Sequence, residues 1–451
     1  MTLTTEFMPG LASETIGIWV AAGSRDESAE TAGSTHFLEH MLFKGTGTRD
    51  AKSIAAAFDR TGGDSNAITA KELTCYYSRC LVTDLPNITG LLVDMVSSSQ
   101  LDVEEFERER GVIIEELAMS ADDPGDVLFD DFDSLVFGSH SLARPVGATK
   151  DQIRVLGHHT VIDHYQSTYI PPRLVIAAAG GATHEEVLAM VEDALAEAGL
   201  GSRADVWSGA GNGVAGAGSV GTDDVSGVHG EGPVDTDDAN GGAASVAKGS
   251  HLAGAARVRP DFQAGVSHTV KDIEQLGILL GCEGLPEGDD DRFIYSVMLT
   301  MLGGGMSSRL FQSVREERGL AYAVNCVASQ FTDTGTFGIY AGCTAENAQA
   351  VVDLAMSEWD RLAQESPSQF ELDEIVSQLS GSMVLGLESS AARMNRLARS
   401  EIFGLPLESP MDLIERVRSV TAEDVSEMAG RLLSRPKALA LVGPAAEVEL
   451  P

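Results

Sequence analysis

Alternating apolar and polar residues predict β strands in the first half of the chain, and longer apolar repeats predict helices between them. Residues 14–23 have the sequence Glu-Thr-Ile-Gly-Ile-Trp-Val-Ala-Ala-Gly, which is typical of a strand. Further strands are predicted at 66–69 and 73–82, which form a hairpin, and at 174–179. Helices are predicted around His36 and at 51–61, 83–99, 102–120 and 184–198.

The same order of elements returns in the second half. Strand, helix, helix, hairpin and helix are predicted at 274–282, 290–301, 307–318, 321–329 with 335–343, and 345–364. This order indicates an internal repeat of roughly 200 residues. We therefore predict an α+β fold of two similar αβ domains, each a mostly antiparallel sheet with helices packed on one face. The run Gly303-Gly304-Gly305 predicts a tight turn or a close backbone approach, because no Lys-Ser/Thr pair follows it as in a phosphate loop.

The composition changes between the two halves. Gly, Ala, Ser, Val and Asp dominate from about residue 200 to 250, and the hydrophobic periodicity disappears there. This composition predicts an acidic, flexible linker or inserted loop, and a functional gate is the alternative. The predicted domains are 1–199 and 251–451, joined by the segment 200–250.

The 451 residues carry a formal net charge of −37, from 68 acidic and 31 basic side chains. A chain this acidic is not expected to bind nucleic acid or an anionic membrane surface. The charge is compatible with cationic or neutral substrates, and with a role in solubility. Five cysteines without a Cys-x-x-Cys pair predict free thiols in a reducing compartment. Because no signal peptide and no long apolar run are evident, we expect a cytoplasmic protein.

The strongest chemical signal is the segment His36-Phe37-Leu38-Glu39-His40. In a helix, at about 100° per residue, its two imidazoles and its carboxylate project from one face. Two histidines four residues apart can ligate one cation, and a carboxylate beside them can take a proton from metal-bound water. This H-x-x-E-H order is the reverse of the usual zinc-protease motif. The alternative is an amphipathic helix with two partly exposed histidines.

The helix predicted at 102–120 offers carboxylates to this site. Glu109 and Glu116 lie on the flank of its apolar stripe, two turns apart, whereas Glu115 faces solvent. A solvated charged face explains most acidic residues of this helix. It explains Glu109 and Glu116 less well, because a carboxylate beside a buried stripe needs a partner such as a metal or a ligand histidine.

Together these features resemble the family of pitrilysin, insulin-degrading enzyme and the mitochondrial processing peptidase. The resemblance is clearest in residues 33–46, 66–77, 106–117, 302–324 and 442–444. It covers almost all of the chain outside 200–250. Within the family, the chain is most similar to short bacterial relatives of the processing-peptidase β subunit.

The resemblance implies one zinc ion per chain, held by His36, His40 and Glu116, the last lying 76 residues after His40. Glu109 matches a second glutamate of the same helix, which supports a ligand from behind, and Glu39 matches the general base. Zinc is the expected metal, while manganese or cobalt stay open. The second domain lacks the motif and is expected to bind substrate.

The resemblance also implies substrate contacts. An arginine and a tyrosine seven residues apart, here Arg315 and Tyr322, are expected to hold the substrate near the scissile bond. Without the resemblance they would be a surface arginine and a strand tyrosine. A family edge strand that pairs with extended peptide corresponds to Asn66, Ala67, Ile68 and Thr69.

The expected function is therefore a zinc metalloendopeptidase that hydrolyses peptides or unfolded segments in a closed chamber, with Glu39 as general base. Long family members carry four such domains in two halves, whereas this chain supplies two. A homodimer is expected, in which Arg315 and Tyr322 reach the zinc site of the partner chain. Because some relatives have lost catalysis, the alternative is a non-catalytic peptide-binding or structural subunit of a larger complex.

Overall fold

A computed structural model describes residues 1–199 and 257–450, which form two halves of the same kind. In the first half, the strands are β1 (Thr2–Phe7), β2 (Ser13–Val20), β3 (Asp64–Thr69), β4 (Thr74–Leu81) and β5 (Leu174–Gly180). Its helices are α1 (Ser34–Met41), α2 (Ala51–Asp59), α3 (Leu85–Ser98), α4 (Val103–Asp122), α5 (Pro124–Phe137), α6 (Lys150–Val155), α7 (His158–Thr168) and α8 (His184–Glu197).

The described part of the second half repeats this arrangement. Its strands are β6 (Gly265–Val270), β7 (Leu276–Glu283), β8 (Ala321–Gln330), β9 (Gly335–Cys343) and β10 (Lys437–Gly443). Its helices are α9 (Arg292–Gly303), α10 (Ala348–Gln364), α11 (Gln369–Gly386), α12 (Ser390–Phe403), α13 (Pro410–Arg418) and α14 (Ala422–Leu433). Among the described helices, none is long and apolar enough to cross a membrane.

The two sheets have the same topology. The strand order is β1-β5-β2-β4-β3 in the first and β6-β10-β7-β9-β8 in the second. One outer pair of each sheet is parallel, β1 with β5 and β6 with β10, and the other pairs are antiparallel. The α+β prediction of two similar, mostly antiparallel domains is therefore confirmed.

Each sheet has one face covered by helices of its own half. In β2, the alternate residues Ile16, Ile18 and Val20 are buried in a core that includes Leu38 of α1 and Leu92 of α3. A matching core lies between the second sheet and α9, α10 and α14. This period of two follows from the pleat of a strand, which points successive side chains to opposite faces.

The opposite face of each sheet is covered by a helix from the other half. Trp19 and Val175 of the first sheet pack with Met394 and Leu397 of α12. In return, α5 of the first half packs on β10 of the second sheet, and Phe132 belongs to that core. The predicted fold had helices on one face only. The structure adds this exchange, by which each half completes the core of the other.

Buried charges join the two halves at a second place. Arg25 bonds to Glu72 and to Asp333, each at 2.6 Å, and Arg257 lies 2.8 Å from Glu72. The backbone N–H of Thr332 donates to Glu72 Oε2 at 2.9 Å. We call these five residues the charged junction. It connects the loop before α1 and the β3–β4 turn with the turn between β8 and β9.

The structure differs from the expected elements in several places. Strands β1, β6 and β10 and the helices after residue 364 were not predicted from the sequence pattern. The helix expected at 307–318 is interrupted by a π-helical turn at Phe311–Glu316. The close approach expected at the glycine run is confirmed, because a Cβ on Gly303 would lie 2.5 Å from the backbone nitrogen of Cys326. The predicted linker at 200–250 lies outside the described residues, so its flexibility stays a prediction.

Candidate metal centre

Helix α1, which carries the H-x-x-E-H segment, begins on an unusual cap. Gly33 precedes it with a φ of +90°, in the left-handed region that favours glycine. The buried carboxylate of Glu27 accepts hydrogen bonds from the backbone N–H groups of Gly33 at 2.8 Å and Thr35 at 2.6 Å. An anion at the positive end of a helix satisfies unpaired N–H groups. Glu27 thereby holds the start of the helix in place.

Aromatic packing brings α1 and α4 together. Phe37 of α1 stacks on Phe106 of α4, with ring centroids 4.1 Å apart. Both side chains are fully buried, as is Ile113 two turns further along α4. Because these apolar residues face each other, the neighbouring polar residues of the two helices meet at the edge of the contact.

At this edge, two histidines and a glutamate converge. His40 Nε2 lies 3.2 Å from Glu116 Oε2, and His36 Nε2 lies 3.8 Å from the same oxygen. The two imidazole rings are nearly perpendicular, with centroids 4.9 Å apart. One ligand atom from each residue lies within 4.8 Å of the others, and this is the one such group in the described part of the chain.

This donor set fits a zinc ion. Ligand atoms about 2.1 Å from a tetrahedral zinc are roughly 3.4 Å from one another, close to the separations found here. Burial, reinforced by His40, lowers the pKa of His36 to about 4, so this imidazole is neutral at pH 7 and free to ligate. Two protein nitrogens and a carboxylate oxygen would leave one coordination position for water or substrate. The side chain of Glu116 is 46% exposed, which keeps that side open.

Glu109 supports His40 from behind, on the side away from Glu116. Its Oε2 lies 3.1 Å from His40 Nδ1. The Glu109 side chain is only 6% exposed, so the contact is sheltered from water. Nδ1–H donating to this carboxylate would leave the lone pair of Nε2 directed toward Glu116.

Glu39 lies on α1 between the two histidines and is half-buried. The hydroxyl of Thr69 donates to Glu39 Oε2 at 2.5 Å. Thr69 is the last residue of β3, which lies at the edge of the first sheet and, among the described strands, pairs with β4 alone. Of the other residues expected to contact peptide, Ala67 is buried, whereas Ile68 is 47% exposed. The base candidate therefore touches the end of an edge strand, and Asn66 lies on that strand.

Arg315 and Tyr322 are close to each other in the second half. The Arg315 guanidinium lies 5.3 Å from the centre of the Tyr322 ring. Tyr322, near the start of β8, is 73% exposed, and Arg315 lies in the π-helical turn. Within residues 1–199 and 257–450, no hydrogen bond, ion pair or ring contact joins them to α1. The described contacts of Arg315 are made with residues of the second half, namely Phe311, Glu316 and Tyr322.

Comparisons with known proteins agree with this geometry. The family model described as "Insulinase (Peptidase family M16)" matches residues 5–150, and "Peptidase M16 inactive domain" matches 158–379. A protein named uncharacterized zinc protease from Streptomyces coelicolor is 39% identical over 443 residues, which cover 98% of this chain and 87% of that protein. The chain belongs to peptidase family M16.

Other M16 relatives span the same length. The uncharacterized zinc protease YmxG of Bacillus subtilis is 31% identical, with 98% of this chain and 96% of that protein covered. Among solved structures, a protease from Helicobacter pylori superposes with a TM-score of 0.80 at 19% identity and covers 98% of both chains. At that identity the likeness shows the shared fold. The suspected family and the fold are both confirmed.

Several residues or contacts at this M16 site were not predicted from sequence. Glu27 was missed because its bonds run to backbone groups that no side-chain motif marks. Thr69 was expected to contact peptide, and its bond to Glu39 was not anticipated. Lys44 lies 2.6 Å from Glu109, and its position four residues after His40 is a signal that could have suggested it.

Proposed function

We propose that this M16 protein is a zinc metalloendopeptidase with one zinc ion per chain. The observation that carries the proposal is the convergence of His36 Nε2, His40 Nε2 and Glu116 Oε2. Glu39 extends from the same helix as the two histidines. The names of the relatives as zinc proteases support the metal and the reaction class.

When bound, zinc would act as a Lewis acid toward water and the scissile carbonyl. Glu39 accepts a proton from the attacking water and later delivers it to the leaving amine. The Thr69 hydroxyl occupies Oε2 of Glu39, which leaves Oε1 as the oxygen that takes the proton. Thr69 thereby fixes the orientation of the carboxylate relative to the peptide bond.

The substrate class follows from β3. An edge strand offers unpaired backbone N–H and C=O groups, which an extended peptide can match regardless of its sequence. Because Thr69 ends this strand and contacts Glu39, a peptide added along β3 would pass the base. The enzyme would therefore take peptides or unfolded segments, held in a closed chamber during cleavage.

We further propose a homodimer in which Arg315 and Tyr322 act on the zinc site of the partner chain. Both residues are at least 40% exposed and lack a contact with α1 of their own chain in the described structure. The hydroxyl of Tyr322 would donate a hydrogen bond to the developing oxyanion, and Arg315 would hold the peptide nearby.

The experiment that tests the function combines metal analysis with a cleavage assay. Purified protein is analysed for zinc, then assayed on a quenched fluorescent basic peptide before and after a chelator, and again after zinc is restored. About one zinc per chain with cleavage that depends on zinc supports the peptidase. Zinc without cleavage of any peptide favours the non-catalytic alternative, and a protein that binds no zinc refutes the proposed function.

A further inference from the structure

Lys44 makes a short ion pair beside the metal centre. Its Nζ lies 2.6 Å from Oε1 of Glu109, while Oε2 of the same carboxylate lies 3.1 Å from His40 Nδ1. The three side chains therefore form a continuous chain, Lys44 to Glu109 to His40. Lys44 lies just after the end of α1, the helix that carries His40, so it is close in sequence to the ligand that Glu109 contacts.

The orientation of His40 depends on this carboxylate. A neutral imidazole carries its proton on one nitrogen and its lone pair on the other. A carboxylate that accepts from Nδ1–H therefore leaves Nε2 as the ligand atom. The Nε2 atom is the one that lies 3.2 Å from Glu116, at the point where the donor set converges.

A carboxylate held at one oxygen alone is poorly fixed. The last torsion of a glutamate side chain is broad, so a contact at Oε2 alone leaves the group free to rotate. Lys44 binds the second oxygen and thereby limits that rotation. It also supplies a positive charge to a carboxylate that is only 6% exposed, and a buried carboxylate without a charged partner is costly.

This pair differs from an ordinary surface salt bridge. Arg154 and Asp151, for example, form a pair with side chains 57% and 89% exposed, and such contacts contribute little. The Lys44 and Glu109 side chains are 30% and 6% exposed, so water screens the interaction much less.

We propose that Lys44 is a positioning residue for the zinc ligand His40 and that it acts through Glu109. The proposal rests on the proposed zinc site. It assigns Lys44 no contact with substrate, so its loss changes metal affinity first and activity as a consequence.

Zinc affinity is the decisive readout, measured on purified protein by competition with a chelator. We expect Lys44→Met to weaken zinc binding by about 10- to 100-fold, the range seen when groups behind a ligand histidine are lost. Lys44→Arg keeps the charge and is expected to restore most of the affinity. Lys52→Met, at an exposed lysine of α2, is the control and should bind zinc as the wild type does.

A double-mutant cycle tests the route through Glu109. Glu109→Gln alone should weaken zinc binding, and adding Lys44→Met to it should weaken binding little further. If Lys44→Met has its full effect in the Glu109→Gln protein, the route through Glu109 is wrong. The melting temperatures of the zinc-free proteins show whether a variant has lost general stability rather than metal affinity. If Lys44→Met does not fold, Lys44→Gln takes its place.

The outcomes distinguish this inference from the proposed function. A wild-type protein that binds zinc, with Lys44→Met binding equally well, overturns the role of Lys44 and leaves the peptidase proposal intact. A wild-type protein that binds no zinc overturns both. Weakened zinc binding by Lys44→Met, rescued by arginine, supports the positioning role.

Discussion

The Thr69 hydroxyl donates to Glu39 Oε2 at 2.5 Å and thereby joins the last residue of β3 to the helix that carries His36 and His40. This contact links two features that the sequence presents separately, the proposed peptide-binding edge strand and the proposed general base. Because β3 is the outermost strand of its sheet, a bound peptide would extend the sheet beside the base.

Removal of this hydroxyl should slow turnover without removing the metal. We expect Thr69→Val to lower kcat roughly tenfold, since a hydrogen bond to a charged group is lost. Thr69→Ser keeps the donor and should stay close to the wild type. Steady-state kinetics on a fluorescent peptide, with zinc content measured in parallel, would check this, and equal kcat values for all three proteins would contradict it.

Replacement of the base should have a larger effect. Glu39→Gln is expected to retain zinc, because Glu39 is not among the converging ligand atoms, yet to lower kcat by about 10²–10⁴-fold. Glu115→Gln, at an exposed position of α4, is the matched control. Rapid cleavage by a zinc-loaded Glu39→Gln protein would rule out Glu39 as the general base.

Mixed chains test whether the site is shared between two copies. Glu39→Gln and Tyr322→Phe proteins should each be nearly inactive alone. If Tyr322 serves the partner chain, exchange of subunits should restore about a quarter of wild-type activity, because half of the dimers are mixed and each has one intact site. Activity is measured after the two proteins are mixed under conditions that permit exchange. An absence of rescue would favour a site completed within one chain.

The charged junction should contribute strongly to stability. Glu72 is buried and bonds to Arg25 and Arg257, so Glu72→Gln would leave two buried guanidinium groups without their shared carboxylate. We expect a loss of about 3 kcal/mol in the free energy of unfolding, measured by urea denaturation. Glu104→Gln, at an 80% exposed side chain paired with Arg108, should cost less than about 1 kcal/mol. Equal losses of unfolding free energy in Glu72→Gln and Glu104→Gln would show that the charged junction does not stabilise the fold more than a surface ion pair does.

Glu14 should make stability depend on pH. It is buried near the start of β2, beside the last residue of β5, and burial is the main factor that raises its pKa to about 7. Folding disfavours its charged form, so its contribution falls as the pH rises from about 4.5 through 7. Relative to the wild type, Glu14→Gln should gain about 2 kcal/mol in unfolding free energy between pH 5 and pH 8.

The control for this effect is Glu185→Gln, at an exposed position of α8. It should follow the pH dependence of the wild type. Urea denaturation at several pH values measures all three proteins. If the unfolding free energies of the wild type and Glu14→Gln change with pH in parallel, Glu14 is not the source of the pH dependence.

Much of the site could be predicted from local sequence alone. Helix periodicity sets His36, Glu39 and His40 on one face, because that relation depends only on residues within one turn. The same periodicity sets Glu109 and Glu116 on the flank of an apolar stripe. The repeat of elements likewise predicted two similar domains, since each half forms its strands and helices from nearby residues.

Relations between distant segments could not be obtained this way. Strands β1 and β10 pair with partners more than 150 residues away, and their short apolar runs carry no sign of that pairing. The exchange of α5 and α12 was missed for a similar reason. An apolar helix face indicates that it is buried but not against which sheet.

The sequence by itself determined which residues could bind a metal, because ligand type and helical spacing are local properties. Tertiary structure alone decided that α1 and α4 meet with His36, His40 and Glu116 converging. It also decided that Thr69 reaches Glu39 and that Lys44 holds the far oxygen of Glu109. The physical reason is packing: the stacking of Phe37 on Phe106 brings α1 and α4 together, and the contacts that His36, His40 and Lys44 make with α4 depend on that packing.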